Sequence, residues 1–263
     1  MNLTEEQIER YSRHIILKDV GGPGQEKLLN AKVLIIGAGG LGAPAALYLG
    51  AAGIGTLGII DADKVDLSNL QRQVIHTMDD IGKAKVKSAK ESIAAINPDV
   101  TVNAYEELFT QENALDLLSE YDFIIDGTDN FPVKFMINDA CVLAKKPFSH
   151  AGILRFDGQT ITHVPGTASY RCVFKDPPPL NAVPSCSQAG ILGAVAGVLG
   201  TIQATEALRY ILGIGDLLTN RLLIVNTMTM GFRTVNVKPT DALNITEFAS
   251  YEQPICDLKG GPS

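Results

Sequence analysis

The run Val33-Leu34-Ile35-Ile36-Gly37-Ala38-Gly39-Gly40-Leu41-Gly42 constrains this chain more than any other stretch. Four apolar residues read as a buried strand, a glycine-rich turn follows at once, and Leu41 to Ala52 reads as a helix. Gly37, Gly39, Gly40 and Gly42 permit a tight turn and close backbone approach. The helix N-terminus behind them offers free N–H groups and a positive dipole end to phosphate. Nineteen residues beyond Gly42, Asp61 closes a second apolar run, Thr56 to Ile60. An acid there accepts hydrogen bonds from ribose hydroxyls. The pattern predicts a nucleotide site without saying which nucleotide. NAD is the usual occupant of this fingerprint. A Walker A loop is excluded, because Gly82-Lys83 lacks the upstream glycine and the following Ser or Thr.

From Ala31 onward, strands and helices alternate. Strands are predicted at 32–36, 56–61, 100–105, 122–126 and 147–151, and helices at 41–52, 83–96, 111–119 and 132–144. This alternation predicts a Rossmann-like, doubly wound α/β fold whose sheet is mostly parallel. Asp157-Gly158 reads as a hairpin turn with 159–164 as the returning strand. A helix is expected at 189–212, then antiparallel C-terminal strands at 221–226 and 232–237. Residues 1–30 form an expected N-terminal helical arm, started by a capping pattern at Thr4 and interrupted by Gly21-Gly22-Pro23-Gly24. The domain proper is set at 31–239, with a crossing loop at 165–187 and a tail at 240–263. The loop is polar, carries Pro177-Pro178-Pro179 and is too long for an ordinary connection.

Bulk properties narrow the function. A net charge of −7 argues against a nucleic-acid partner held by bulk electrostatics. The longest apolar run, Ala189 to Ile202, has 14 residues, whereas a bilayer span needs about 20. No membrane association is expected. The acidic, polar N-terminus does not read as a signal peptide, and Cys141, Cys172, Cys186 and Cys256 form no CxxC pair. A reducing cytoplasm is expected.

Several polar residues cluster where a doubly wound sheet places ligands, just past strand ends. Asp61-Ala62-Asp63 and Ser68-Asn69-Leu70-Gln71-Arg72-Gln73 follow the second strand. Asp126-Gly127-Thr128-Asp129-Asn130 follows the fourth, and Lys83 and Lys85 open the helix between them. Arg72 and Lys85 suit phosphate charge, and Asp129 suits Mg²⁺. That set fits an ATP site in which the nucleotide is cleaved better than a plain NAD site.

With Arg10-Tyr11-Ser12-Arg13, the glycine turn, Gly82-Lys83-Ala84-Lys85 and Thr128-Asp129-Asn130, these motifs resemble the HesA/MoeB/ThiF family, from about residue 5 to residue 237. That family comprises bacterial relatives of ubiquitin-activating enzymes. The resemblance implies ATP- and Mg²⁺-dependent adenylation of the C-terminal Gly-Gly carboxylate of a ubiquitin-like sulfur carrier, with ThiS-like the first choice and MoaD-like the second. It implies that Asp61 holds the ribose, that Asn69, Arg72 and Lys85 bind phosphates, and that Asp129 binds Mg²⁺. Asp63 and Ser68 belong to the matching motifs and are expected at the nucleotide. Arg13 would enter the partner subunit's site as an arginine finger of an obligatory homodimer. Residues 169–186 would cross the carrier's tail, and a separate sulfur donor protein would follow. Cys186 matches a cysteine that can bond the activated carrier, and it reads equally as an incidental thiol, since adenylation does not require it.

One departure is clear. The family's structural zinc uses two CxxC pairs, which here are reduced to Cys172 and Cys256, with Ser169, Gln253 and Lys259 at the other positions. No zinc is expected. His14, His76, His150 and His163 match no ligand spacing and receive no role, and Gly193, Gly197 and Gly200 read as close helix packing. The competing readings are an NAD-dependent oxidoreductase and a non-catalytic carrier-binding scaffold; retention of Arg13, Arg72, Lys85 and Asp129 argues against the scaffold.

Overall fold

The computed structural model describes residues 3–178 and 189–249. Eight strands form one sheet in the order β3-β2-β1-β4-β5-β6-β7-β8. They are β1 (Lys32–Ile36), β2 (Thr56–Ile60), β3 (Thr101–Tyr105), β4 (Phe123–Asp126), β5 (Phe148–Leu154), β6 (Asp157–His163), β7 (Arg221–Asn226) and β8 (Gly231–Asn236). The first five pair in parallel and the last three are added antiparallel, as the alternation predicts.

The strand sequences explain the layering. β1 and β4 are buried along almost their whole length, so they read as continuous apolar runs. Alternate residues serve opposite faces. Val33, Ile35, Leu57, Ile59, Phe123 and Ile125 pack toward α4 (Gly42–Ala52), α5 (Lys85–Ile96) and α9 (Gly193–Leu212). Leu34, Ile36, Ile60, Ile124 and Phe148 pack toward α6 (Gln111–Ser119) and α7 (Phe131–Leu143). Helices therefore cover both faces.

The N-terminal arm comprises α1 (Glu5–Arg10), α2 (Ser12–Ile15) and α3 (Gly21–Asn30). Thr4 starts α1 through a reciprocal cap with Gln7, both bonds at 3.1 Å. Tyr11 anchors the arm: its buried hydroxyl accepts from Asn97 Nδ2 at 2.8 Å. Gly21-Gly22-Pro23-Gly24 does not break the chain, as the sequence suggests, but forms the first turn of α3. Proline is tolerated there because the first helical N–H groups have no intrahelical acceptor.

The hairpin also differs from expectation. The β5–β6 turn is Arg155-Phe156, with Arg155 at φ +56°, and Asp157-Gly158 belongs to β6. Gly158 is small for a packing reason: a Cβ there would lie 2.5 Å from Leu199 Cδ2 of α9. The glycines of α9 divide. A Cβ at Gly193 or Gly200 would strike the backbone of Gln71 or Leu41, whereas one at Gly197 meets nothing within 4 Å. The packing role expected of all three thus fails at Gly197. No helix among the described residues is long and apolar enough to cross a membrane.

Candidate nucleotide site

The sheet order reverses between β1 and β4, and a cavity of about 330 Å³ opens at their C-terminal ends. Gly37, Gly39 and Gly40 form one wall, and Gly127, Thr128, Asp129 and Asn130 form another. Gly37 has φ +94°, and a side chain at Gly42 would run into the Gly37 carbonyl. Gly42 therefore lies behind the wall, as the residue that lets the helix start close to the turn. By contrast, a Cβ at Gly39 would find nothing nearer than Gln73 Nε2 at 3.8 Å. This backbone faces space that a ligand can fill.

Asp61 pins the turn. Its Oδ2 accepts from the Ala38 N–H at 2.7 Å and its Oδ1 from the Asp63 N–H at 2.8 Å. The acid at the end of β2 thus preorganises the cradle as well as facing the cavity. His76 buttresses the turn from below, with Nε2 3.2 Å from the Ala38 carbonyl and Nδ1 2.7 Å from Ser88 Oγ. Burial pushes its pKa down, so the ring is neutral.

The cations come from two elements. The Ser68–Gln73 motif starts in a 3₁₀ turn, Leu67–Asn69, capped by Asp66, whose Oδ1 accepts from the Ser68 N–H at 2.8 Å. Arg72 Nη1 donates to the Ser68 carbonyl at 3.0 Å, and Asn69 and Arg72 line the cavity. Ser68 supports them from behind through its backbone. Lys85, at the start of α5, reaches the cavity with Nζ 2.8 Å from Asp63 Oδ2.

Beneath Asp129 lies a buried charged cluster. Asp126 Oδ2 accepts from His150 Nδ1 at 2.7 Å and Lys134 Nζ at 3.0 Å, while Oδ1 accepts from Thr128 Oγ1 at 2.7 Å. Burial alone would raise the Asp126 pKa, but Lys134 and His150 outweigh it and hold the carboxyl well below the usual range. Burial, reinforced by the Lys134 charge, lowers His150 to about 4. The Asp126 carboxyl is therefore ionised, and His150 is a neutral imidazole with its proton on Nδ1.

A family model described as the ThiF family matches residues 11–244. The chain belongs to the ThiF family. It is 44% identical over 244 residues to the sulfur carrier protein adenylyltransferase of Thermus thermophilus, covering 90% of each chain. It is 47% identical over 257 residues to the probable adenylyltransferase/sulfurtransferase MoeZ of Mycobacterium tuberculosis, covering 95% of this chain but 66% of MoeZ. The chain thus spans just under two thirds of that relative. Among solved structures, Escherichia coli MccB with ATP superimposes with a TM-score of 0.78 at 26% identity, covering 91% of this chain and 73% of MccB.

Within this ThiF-family chain, the structure brings Gly37, Gly39, Gly40, Asp61, Asp63, Asn69, Arg72, Lys85 and Asp129 to one cavity. Arg13 is set apart. It is exposed on α2, while its neighbour Arg10 donates to the Ile96 carbonyl at 3.0 Å. Cys186 and Cys256 lie outside the described residues. Cys172 Sγ accepts from the Ser169 N–H at 3.4 Å and lies 3.5 Å from Thr240 Oγ1. Among the described residues, no group of three or more His, Cys, Asp or Glu is placed to hold a metal. Sequence reading missed Lys134 and His150, and the parallel register explains why. Asp126 and His150 are paired neighbours on β4 and β5, a relation no local motif records.

Proposed function

We propose that this chain transfers AMP from ATP to the C-terminal Gly-Gly carboxylate of a ubiquitin-like sulfur carrier. The observation that carries this reading is the joint placement of Arg72, Lys85 and Asp129 around the glycine turn at the sheet's switch point. The relatives' names and the ATP carried by MccB support it.

The chemistry suits these residues. The carrier's carboxylate, ionised at neutral pH, attacks the α-phosphorus. A carboxylate oxygen–phosphorus bond forms, the bond to the β-phosphate oxygen breaks, and pyrophosphate leaves. No enzyme group need become covalently attached or act as a base. Arg72 and Lys85 offset phosphate charge, Asp61 holds the ribose and fixes the turn, and the glycine backbone admits the phosphates. Asp129, exposed at the cavity mouth, would hold Mg²⁺ through its carboxylate, a hard oxygen donor of the kind that ion prefers. When bound there, Mg²⁺ neutralises charge on the nucleotide. Arg13 of a second subunit completes the site of a cytoplasmic homodimer as an arginine finger. Such a residue is worth about 10³-fold or more in phosphoryl transfer. The same reading assigns the crossing segment to the carrier's tail, Cys186 to the activated carrier and the sulfur to a separate donor protein, with no structural zinc.

A ThiS-like carrier is the preferred substrate and a MoaD-like one the second. ATP–pyrophosphate exchange measured with each carrier tests the choice. Higher kcat/KM with the ThiS-like carrier is expected, and the reverse order assigns the chain to MoaD-like chemistry. NAD binding in place of ATP binding contradicts the adenylation reading itself.

A further inference from the structure

Asp126 and Lys134 bracket the turn that carries Asp129, and the two are joined across it. Asp126 ends β4, and Lys134 lies in the first turn of α7. Lys134 Nζ donates to Asp126 Oδ2 at 3.0 Å and to the Ala151 carbonyl of β5 at 2.6 Å. Asp126 Oδ1 serves the turn from inside, accepting from the Thr128 N–H at 3.1 Å and the Thr128 hydroxyl at 2.7 Å. On the far side, Asn130 Oδ1 accepts from the Val133 N–H at 3.3 Å and so starts α7. Gly127 closes the near side. Its N–H donates to the Ile36 carbonyl at 2.8 Å, and a Cβ there would lie 2.7 Å from the Gly37 carbonyl oxygen. Asp126, Thr128 and Asn130 thus hold the turn in shape, while Asp129 is exposed and lines the cavity.

His150 fixes Asp126 from the neighbouring strand. β4 and β5 are parallel with Asp126 in register with His150, so the two side chains share one face of the sheet. His150 Nδ1 donates to Asp126 Oδ2 at 2.7 Å, while Nε2 has no partner among the described residues. The His150 side chain is 1% exposed and is covered by Tyr170, which opens the short helix α8 (Tyr170–Val173), with ring centroids 3.8 Å apart. Asp126, Lys134 and His150 do not line the nucleotide cavity, and they reach it only through the turn. A buried ion pair is a poor source of stability, because desolvation offsets its attraction. Its place directly behind Asp129 suits a different task.

We propose that His150 and Lys134 are positioning residues that fix Asp126 and thereby preorganise the Thr128-Asp129-Asn130 turn, so that the Asp129 carboxylate is already presented to Mg²⁺ when the nucleotide enters. This rests on the adenylation reading of the cavity. The two residues act on metal affinity and leave the metal-free nucleotide alone. A purely through-space effect makes different predictions. Burial keeps the His150 imidazole neutral, so replacing it by an apolar ring changes no charge. Removing a lysine's charge behind a cation site removes a repulsion, which would tighten the cation. Positioning requires the reverse, a loss of metal affinity from both changes.

The test is calorimetric titration of a non-hydrolysable ATP analogue at graded Mg²⁺. It separates the Kd of the metal-free analogue from the Mg²⁺ concentration that half-saturates its tightening. His150→Phe keeps a ring against Tyr170 and removes the donor to Asp126. It should raise the half-saturating Mg²⁺ about tenfold, the lower end of what losing a group behind a metal ligand costs, and leave the metal-free Kd within about twofold. Lys134→Met should raise it as well. If His150→Phe lowers the melting temperature too far, Thr128→Val breaks the Asp126 Oδ1 bond at the turn and should give the same increase, with Thr128→Ser close to the unaltered protein. An unchanged Mg²⁺ requirement in His150→Phe or Thr128→Val, a lower one in Lys134→Met, or equal weakening with and without metal overturns the proposal. If any of these appears while the unaltered protein shows carrier-dependent exchange, this inference falls and the adenylation reading stands. If the unaltered protein binds no ATP analogue, both fall.

Discussion

Lys85 and Asp63 form an ion pair of opposite exposures: the ammonium is 2.8 Å from Asp63 Oδ2, with the lysine side chain 7% exposed and the aspartate 72%. The lysine's charge therefore sits at the cavity wall with a partner that solvent can replace. A phosphate entering the cavity competes with Asp63 for that charge. Asp63→Asn should bind ATP more tightly, by roughly fivefold. The half-exposed pair is worth about 1 kcal/mol at most, which caps the gain. Lys85→Ala should lose ATP affinity instead. Calorimetric titration checks both, and weaker ATP binding by Asp63→Asn would show that the carboxylate guides the phosphate rather than competing with it.

The glycine turn separates a folding requirement from a binding one. Gly42→Ala places a methyl group against the Gly37 carbonyl and should destabilise the protein by about 2–3 kcal/mol, the scale of overpacking in a tight core. Gly39→Ala points its methyl group into open cavity space. It should leave the urea midpoint almost unchanged and weaken ATP binding at least tenfold. Equal destabilisation by the two substitutions would contradict the geometry.

Much of this was legible in the sequence, and the limits have physical causes. β1, β2 and β4 were readable to within a residue because strands buried on both faces carry uninterrupted apolar runs. The residues that line the cavity were legible because each belongs to a short local motif, the glycine turn, Asp61–Asp63, Asn69–Arg72, Lys85 at the start of α5, or Asp129 past β4. The β5–β6 turn was misplaced because Asp157-Gly158 has turn chemistry, while Gly158 answers to Leu199 across the sheet. The Asp126–Lys134–His150 cluster was illegible for a similar reason. It depends on the register of two parallel strands and one helix, and single-residue spacing in the chain does not encode it.

Acid should unfold this protein early, and His150 supplies part of the reason. In the folded state burial and Lys134 lower its pKa to about 4 against an ordinary 6.5. Between those values the unfolded chain binds the extra proton, so stability present near neutrality is lost as pH falls from about 6.5 to about 4. At 1.36 kcal/mol per pH unit this amounts to about 3 kcal/mol. Burial lowers His76 and His163 in the same direction. Chemical denaturation across that range should show a falling free energy, and His150→Asn should flatten the slope while lowering stability at pH 7. An unchanged slope would mean that His150 is protonated in the native state.

Arg13 is exposed on α2, in an arm held by Tyr11 and Asn97, and the cavity lining does not include it. The homodimer reading gives it a partner's site to serve. Arg13→Ala and Asp129→Ala proteins should each be inactive alone. Mixed dimers should recover about one working site in two, because one interface pairs an intact Arg13 with an intact Asp129. Recovery of nothing on mixing would place Arg13 in cis or outside the reaction.

The central claim is carboxylate adenylation, and carrier-dependent ATP–pyrophosphate exchange tests it most directly. With Mg²⁺ and a Gly-Gly-ended carrier, labelled pyrophosphate should enter ATP. Removing the carrier's last glycine should abolish the exchange, and Asp129→Ala should abolish it without lowering the melting temperature, since Asp129 is an exposed residue at the cavity mouth. Exchange that persists with the truncated carrier, or without any carrier, would contradict the account.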